Sequence, residues 1–237
     1  MYDAGTMTTH KHLFFDMDHT VTPARQPIEA DMLQLLQSLT QDIVIVSGST
    51  VVQMNTQITD LPKYQLGQNG NEAFDRDGKE LWKFSLSEDH KKEIFSHIDK
   101  IIALVDHELN EEWNPIEDRG GQITFSPIGN TAPVEKKKTY DPDRKKRELW
   151  LEQAPFESEE LVVKIGGSTS LDYLHKDKNK GTNVAKLIDL LGWNKDECVY
   201  FGDGLYPGGN DEAVIGVIET VAVTNQRETF EYLQRYK

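Results

Sequence analysis

Asp16 and Asp18 stand one residue apart at the end of the apolar run Leu13-Phe14-Phe15, and they are the side chains in this sequence best suited to chemistry. The run reads as a buried strand, and ligands of open α/β sheets collect at the carboxyl ends of such strands. Strand residues two apart project to one side, so both carboxylates are expected to address one small volume. Two carboxylates that close raise each other's pKa unless a cation sits between them or one keeps its proton. One ionised carboxylate can then attack phosphorus while the other trades a proton with the incoming or leaving oxygen. Alone, an Asp-x-Asp pair after a strand is a common turn, so the weight falls on what accompanies it.

Three further segments follow in order: Ser47-Gly48, Lys180-Gly181, and Gly202-Asp203-Gly204 with Gly208-Gly209-Asn210-Asp211 close behind. Phosphoryl transfer calls for a nucleophile, a proton manager, a hard cation and fixed positive charge. Asp203 is placed to hold Mg²⁺ with Asp16 and Asp18, since oxygen donors are what that ion selects. Ser47 offers a hydroxyl and a backbone N–H to a phosphate oxygen, and Lys180 a charge to neutralise a phosphorylated Asp16. Each piece alone is an ordinary turn or loop. Together they recur at the predicted ends of strands and starts of helices.

The elements that must position these groups alternate. Residues 28–39 read as a helix with an apolar stripe at 28, 32, 35, 36 and 39, preceded by Pro27 near its first turn. Ile43 to Val46 reads as the next strand, completing a right-handed βαβ unit. The pattern returns with a helix over 182–191 stopped by Gly192, a strand over 197–202, a strand over 217–223 and a closing helix over 226–235. Between them the order changes: a helix over 88–109, a strand over 122–126, a charged stretch over 135–152, and strand-like residues 161–165 and 168–174. The fold class expected is α/β, a doubly wound parallel sheet of Rossmann type formed by residues 1–81 and 180–237. An inserted α+β cap spans 82–179 and opens and closes over the active-site mouth.

Composition narrows the function classes. Lys and Arg number 26 against 40 Asp and Glu, a net charge of -14 that argues against nucleic acid as partner. No apolar run reaches the ~20 residues of a membrane helix, and the first residues resemble no signal peptide. Met7 is an alternative start to Met1. The single cysteine, Cys198, excludes an internal disulfide, suits a cytoplasmic location, and reads as a small buried hydrophobe within an apolar strand.

At the level of whole motifs the chain resembles the haloacid dehalogenase superfamily, in the type IIB branch whose cap is inserted after the third core strand. Within it, the similarity is to the α-phosphomannomutase type of eukaryotes. The residues that carry it are Phe15 to Arg25, the Gln68-Asn69-Gly70 turn, Arg119 to Gly129 with its Ser-Pro-Ile-Gly string, Ile165 to Asp172, and Phe201 to Asp211 with its Pro-Gly-Gly-Asn-Asp string. The resemblance implies Asp16 as nucleophile, Asp18 as general acid/base, and Asp203 as a Mg²⁺ ligand. Lys180 matches the core lysine, and Arg25, Arg119, Ser170 and Asp172 match substrate-contacting positions. A homodimer joined through the cap is also implied. Three positions depart from the pattern. His19 stands where the family has glycine and is expected to fill space. Asn130 and Lys137 replace two arginines of the cap's phosphate clamp, and arginine grips phosphate through paired N–H bonds that neither can reproduce. Lys136, Lys138, Arg144 and Lys145 are nearby compensation, or simply a solvated face.

The expected function is Mg²⁺-dependent transfer of a phosphoryl group on a hexose phosphate, interconverting mannose 1-phosphate and mannose 6-phosphate, with a hexose bisphosphate as activator. The retained Arg119, Ser170 and Asp172 favour this mutase. The lost clamp arginines favour the alternative, a sugar-phosphate phosphatase. A non-catalytic phospho-ligand binding module is the third reading, disfavoured by the full set Asp16, Asp18, Lys180 and Asp203.

Overall fold

The structure, a computed structural model, describes residues 10–58 and 61–236. The two candidate starts, Met1 and Met7, lie outside the described residues. The chain runs β1 (His12–Asp16), α1 (Ala30–Ser38), β2 (Asp42–Val46), α2 (Val51–Met54), β3 (Tyr64–Gly67), β4 (Glu72–Asp75) and β5 (Glu80–Lys83). It continues through α3 (Glu88–Ile102), β6 (Ile116–Asp118), β7 (Gln122–Phe125), α4 (Val134–Tyr140), α5 (Lys145–Gln153), β8 (Leu161–Gly166) and β9 (Ser170–His175). It closes with α6 (Lys180–Leu191), β10 (Cys198–Gly202), β11 (Glu219–Ala222) and α7 (Gln226–Leu233). Two compact units result: Met1–Lys83 with Lys178–Lys237, and Phe84–Asp177.

In the first unit the described residues form a seven-stranded sheet of order β11-β10-β1-β2-β3-β4-β5. β11, β10, β1, β2 and β3 are parallel, and β4 and β5 turn back antiparallel. β1 is central because it is apolar on both faces. Leu13 and Phe15 pack with Met32, Leu35 and Leu36 of α1 and Leu233 of α7, while Phe14 packs with Val184, Leu187 and Ile188 of α6. That is the doubly wound class expected, with helices on both sides of the sheet. After β1 the chain winds outward through β2 and β3, then returns to β1's other edge as β10. The two directions of winding therefore diverge beside Asp16, the kind of switch point where such sheets bind ligands.

The second unit is α+β, with a sheet of order β6-β7-β9-β8. Ile94, Ile98 and Ile101 of α3 and Trp150 of α5 cover Ile123, Phe125, Leu171 and Tyr173 on one face. Because strand side chains alternate, the other face carries Thr124 opposite Asp172, which in turn pairs with Lys164.

Several sequence expectations need correction. α1 begins at Ala30 rather than at residue 28, with Glu29 as its cap, so Pro27 precedes the helix as expected but lies outside its first turn. α3 stops at Ile102 although the apolar pattern runs on, its last turn closing at Ala103. β4 and β5 are additional, antiparallel strands; they are short and only partly buried, so no continuous apolar run marks them. The 135–152 stretch is two helices, and α5 buries Arg147 instead of presenting a uniformly solvated face. Among the described residues no helix is long and apolar enough to cross a membrane.

Candidate active site

Asp16 ends β1, with Val46 of β2 beside it. Its carboxylate is 4% exposed and accepts a hydrogen bond from the Lys180 ammonium, which also donates to Asp211 Oδ1 at 2.7 Å. Lys180 is the first residue of α6, whose start is set by Asn179 capping the Thr182 N–H and whose end is set by Gly192 at φ 66°. Glycine at 181 permits the close approach that brings Asp211 in: a Cβ there would lie 1.8 Å from the Ala213 carbonyl oxygen. Asp211 is further held by the Tyr200 hydroxyl at 2.6 Å and the Gly204 N–H at 3.0 Å.

Asp16, Asp203 and Asp211 form the acidic cluster: each offers a carboxylate oxygen, all within 4.8 Å of one another. Three carboxylates face one ammonium here, and the electrostatics record the imbalance. Burial, with Asp211 and Asp203 adding to it and Lys180 opposing, pushes Asp16 up to about 7. Burial and Asp211 likewise raise Asp203. Burial works against the Lys180 charge, but Asp16 and Asp211 outweigh it and hold the ammonium above its ordinary pKa. Such a site gains from one more cation, and an all-oxygen donor set fits a hard divalent ion.

Asp18 does not join this cluster, contrary to the sequence expectation. β1 ends at Asp16, so the strand rule that puts alternate residues on one side no longer applies two residues on. The Asp18 carboxylate instead accepts the Arg25 backbone N–H at 2.7 Å and the Gln57 side-chain amide at 3.0 Å, both at Oδ1. The third carboxylate is Asp211, which sequence reasoning passed over as part of a tight turn. Its signal was an aspartate directly after Gly208-Gly209-Asn210. Tyr200 was missed too, as one apolar residue in a strand.

Ser47 lies just beyond β2, 4% exposed. Its N–H is not available to a phosphate as expected, because it donates to the Leu66 carbonyl at 2.9 Å. Its hydroxyl accepts the Ser49 N–H at 3.1 Å and keeps its own proton to donate. His19 is exposed and sits at φ 60°, the left-handed region where glycine is at home and histidine is tolerated. It therefore does not fill space; it lies near enough to Asp203 to oppose the burial that raises that carboxyl's pKa. Cys198 is buried, its thiol pushed up to about 11 by burial and Glu197, which makes it an inert packing residue.

In the second unit, Arg119 follows β6 and its Nη2 donates to Glu117 at 2.6 Å, while Nε is buried without a hydrogen-bond partner. Asp172 has the same incompleteness: Oδ1 is buried and unpartnered, and burial raises its pKa although Thr124, Arg119, Ser170 and Arg147 pull the other way. Two complementary polar atoms thus stand unsatisfied on the polar side of this sheet, a recognised mark of a ligand-facing surface. The clamp positions turn inward. Asn130 donates to the Asn114 carbonyl at 3.0 Å, and the Lys137 ammonium reaches the Asn130 carbonyl at 2.5 Å. The basic neighbours are dispersed: Lys138 pairs with Glu135, Lys145 with Asp143, and Lys136 lies over the Trp113 ring at 4.4 Å.

Residues 30–235 match the family model described as eukaryotic phosphomannomutase. The chain belongs to that family. It is 29% identical to the phosphomannomutase of Schizosaccharomyces pombe, covering 94% of this chain and 93% of the relative. The Solanum lycopersicum phosphomannomutase is 30% identical, covering 91% and 89%. The family is one of enzymes. Among solved structures, a phosphatase of the haloalkanoate superfamily from Bacteroides thetaiotaomicron matches with a TM-score of 0.63 at 13% identity, covering 100% of this chain and 98% of that one. The IMP-bound IMP-nucleotidase of Plasmodium falciparum gives 0.62 at 18%, covering 96% and 68%. At such identities these two show that the fold is shared and nothing about substrate.

Proposed function

We propose that this protein interconverts mannose 1-phosphate and mannose 6-phosphate by way of a phosphorylated Asp16. The observation that carries the reading is the buried Asp16–Lys180–Asp211 array at the carboxyl end of the central strand. Asp16 enters the cycle phosphorylated: the free hydroxyl of the hexose monophosphate gives its proton to Asp18 and attacks that phosphorus while the bond from phosphorus to the Asp16 oxygen breaks, which yields a hexose bisphosphate and a free carboxylate. After the bisphosphate reorients, an Asp16 carboxylate oxygen attacks its other phosphorus, the ester P–O bond breaks with its electron pair, and the departing sugar oxygen takes the proton from Asp18. Lys180 balances the charge of the phosphorylated carboxylate, and the Ser47 hydroxyl is a donor to a phosphoryl oxygen. Asp16, Asp203 and Asp211 would hold Mg²⁺, which when bound offsets charge on the transferring group. Arg119, Ser170 and Asp172 are read as contacts to the sugar phosphate, the Arg119 Nε and Asp172 Oδ1 supplying a donor and an acceptor.

A sugar-phosphate phosphatase is the second reading. What favours it is the inward turn of Asn130 and Lys137, which leaves the clamp positions without an arginine fork. The deciding assay gives the protein Mg²⁺, α-mannose 1-phosphate and a trace of hexose 1,6-bisphosphate, and follows mannose 6-phosphate and free phosphate together. Isomerisation with little phosphate release establishes the mutase. Phosphate release without isomerisation replaces it with the phosphatase, and no turnover of either kind refutes both.

A further inference from the structure

Arg147 lies in the most basic part of the sequence, yet it and Asp141 are each 1% exposed. Its guanidinium Nε donates to Asp141 Oδ2 at 2.7 Å, and Nη2 to the Asp141 carbonyl at 3.3 Å. Nη1 crosses to the turn between β8 and β9, reaching the Gly166 carbonyl at 2.7 Å and those of Gly167 and Ser170 at 3.3 Å. The Asp141 carboxylate also accepts the N–H groups of Lys146 and Arg147 at 3.0 and 3.3 Å. One ion pair thus ties together the loop before α5, the first turn of α5, and the β8–β9 turn.

That turn determines where two polar side chains go. Ser170 opens β9 and Asp172 follows on the same face. Gly166 is packed against the Asp172 carboxylate so closely that a Cβ would fall 1.9 Å from Oδ2. Thr169, between them, is pinned from β7's side by the Ser126 hydroxyl at 2.9 Å. The Thr124 and Ser170 side chains hydrogen-bond the Asp172 carboxylate while its Oδ1 has no partner, and the close approach of the Gly166 backbone to Oδ2 limits where that carboxylate can lie. The carbonyl of that same glycine takes Arg147's short hydrogen bond.

We propose that Arg147, held by Asp141, is a positioning residue that sets the β8–β9 turn so that Ser170 and Asp172 are presented to the hydroxyls of the sugar. This rests on the hexose-phosphate reading above. The pair itself touches no substrate. Arginine is required because one planar group must serve a carboxylate and several carbonyls at once; lysine has a single nitrogen to offer.

The test uses the full chain with Arg147→Lys and, separately, Asp141→Asn. Each is assayed for kcat and KM on α-mannose 1-phosphate and on an aryl phosphate that has no sugar hydroxyls. Hydrogen exchange is followed for the amides of residues 166–172. The expected result is a KM for the sugar phosphate raised about 10-fold to 100-fold, aryl phosphate turnover changed less than about twofold, and faster exchange confined to the turn. An equal loss on both substrates, or an unchanged KM in whichever variants fold, overturns the proposal. If the wild type turns over the aryl phosphate but no sugar phosphate, the functional reading fails instead. Exchange in the turn then decides alone: acceleration keeps Arg147 as its clamp, and unchanged exchange removes it.

Discussion

Lys180 and Arg147 are both 1% exposed cations beside buried aspartates, and they answer the cost of burial in opposite ways. Lys180 is a point charge set among Asp16, Asp211 and Asp203, so its surroundings stay negative and Asp16 rises to about 7. Arg147 meets one carboxylate, and its other donors go to main-chain carbonyls. The first arrangement is electrostatically unfinished and can accept a cation or a phosphoryl group. The second is closed and can only hold shape. A buried ion pair is thus informative about function through its charge balance more than through its burial.

The comparison breaks most sharply at Asp16. Asp16→Asn should lower turnover at least ~10³-fold, because the proposed nucleophile is gone, yet leave the melting temperature unchanged or higher without divalent ions, because a repelled carboxylate has been neutralised. A large fall in melting temperature would mean the array is structural. Arg147→Met does the reverse: it strands the Asp141 charge and should cost about 3–5 kcal/mol in urea unfolding. Mg²⁺ sharpens the contrast, since it should raise the melting temperature through the three carboxylates, by about 2.7 kcal/mol of stability at a hundredfold excess over Kd. EDTA should remove that gain and Asp211→Asn should shrink it, while Asp141→Asn should leave the increment intact. Differential scanning calorimetry reads all three.

The smallest effect belongs to His97, on the buried face of α3. Its ring nitrogens engage the Tyr173 hydroxyl at 2.8 Å and the Ala154 carbonyl at 2.7 Å, and burial, against the Ala154 hydrogen bond, keeps its pKa below the ordinary 6.5. The unfolded chain therefore binds this proton more readily. Stability should be full above pH 6.5 and fall as pH drops from there toward the folded pKa, by at most about 1.4 kcal/mol per pH unit. His97→Gln should flatten that slope in unfolding measured between pH 5 and pH 7, a range set by the reference pKa of about 6.5.

How much of this was legible follows from the kind of signal each residue leaves. β1, β2 and β10 are continuous apolar runs because both sheet faces are covered, and α6 carries its Asn cap and Gly stop in the sequence. Asp16 and Lys180 could be found because they terminate or begin such marked elements. β4 and β5 left no trace, being short strands at one side of the sheet with mixed composition. Asp18 was misplaced because local periodicity cannot say where a strand stops. Asp211 sat in a marked glycine-rich turn, but the turn does not reveal that its carboxylate meets Lys180, 31 positions away. Arg147 was invisible for a deeper reason: its burial depends on carbonyls at 166 and beyond, 19 positions away, and nothing in the neighbouring residues distinguishes it from a solvated charge.

The order of strands also bears on synthesis. The hydrogen bond from Lys180 to Asp16 spans 164 positions, and β1 acquires its neighbour β10 only when residues 198–202 exist. At about 5–20 residues per second, a ribosome takes on the order of ten to forty seconds between the two. By the end of that interval the whole contiguous unit Phe84–Asp177 has been synthesised, while one side of β1 has stayed an open edge throughout. The nascent chain therefore completes the Phe84–Asp177 unit before it can assemble the Asp16–Lys180–Asp211 array.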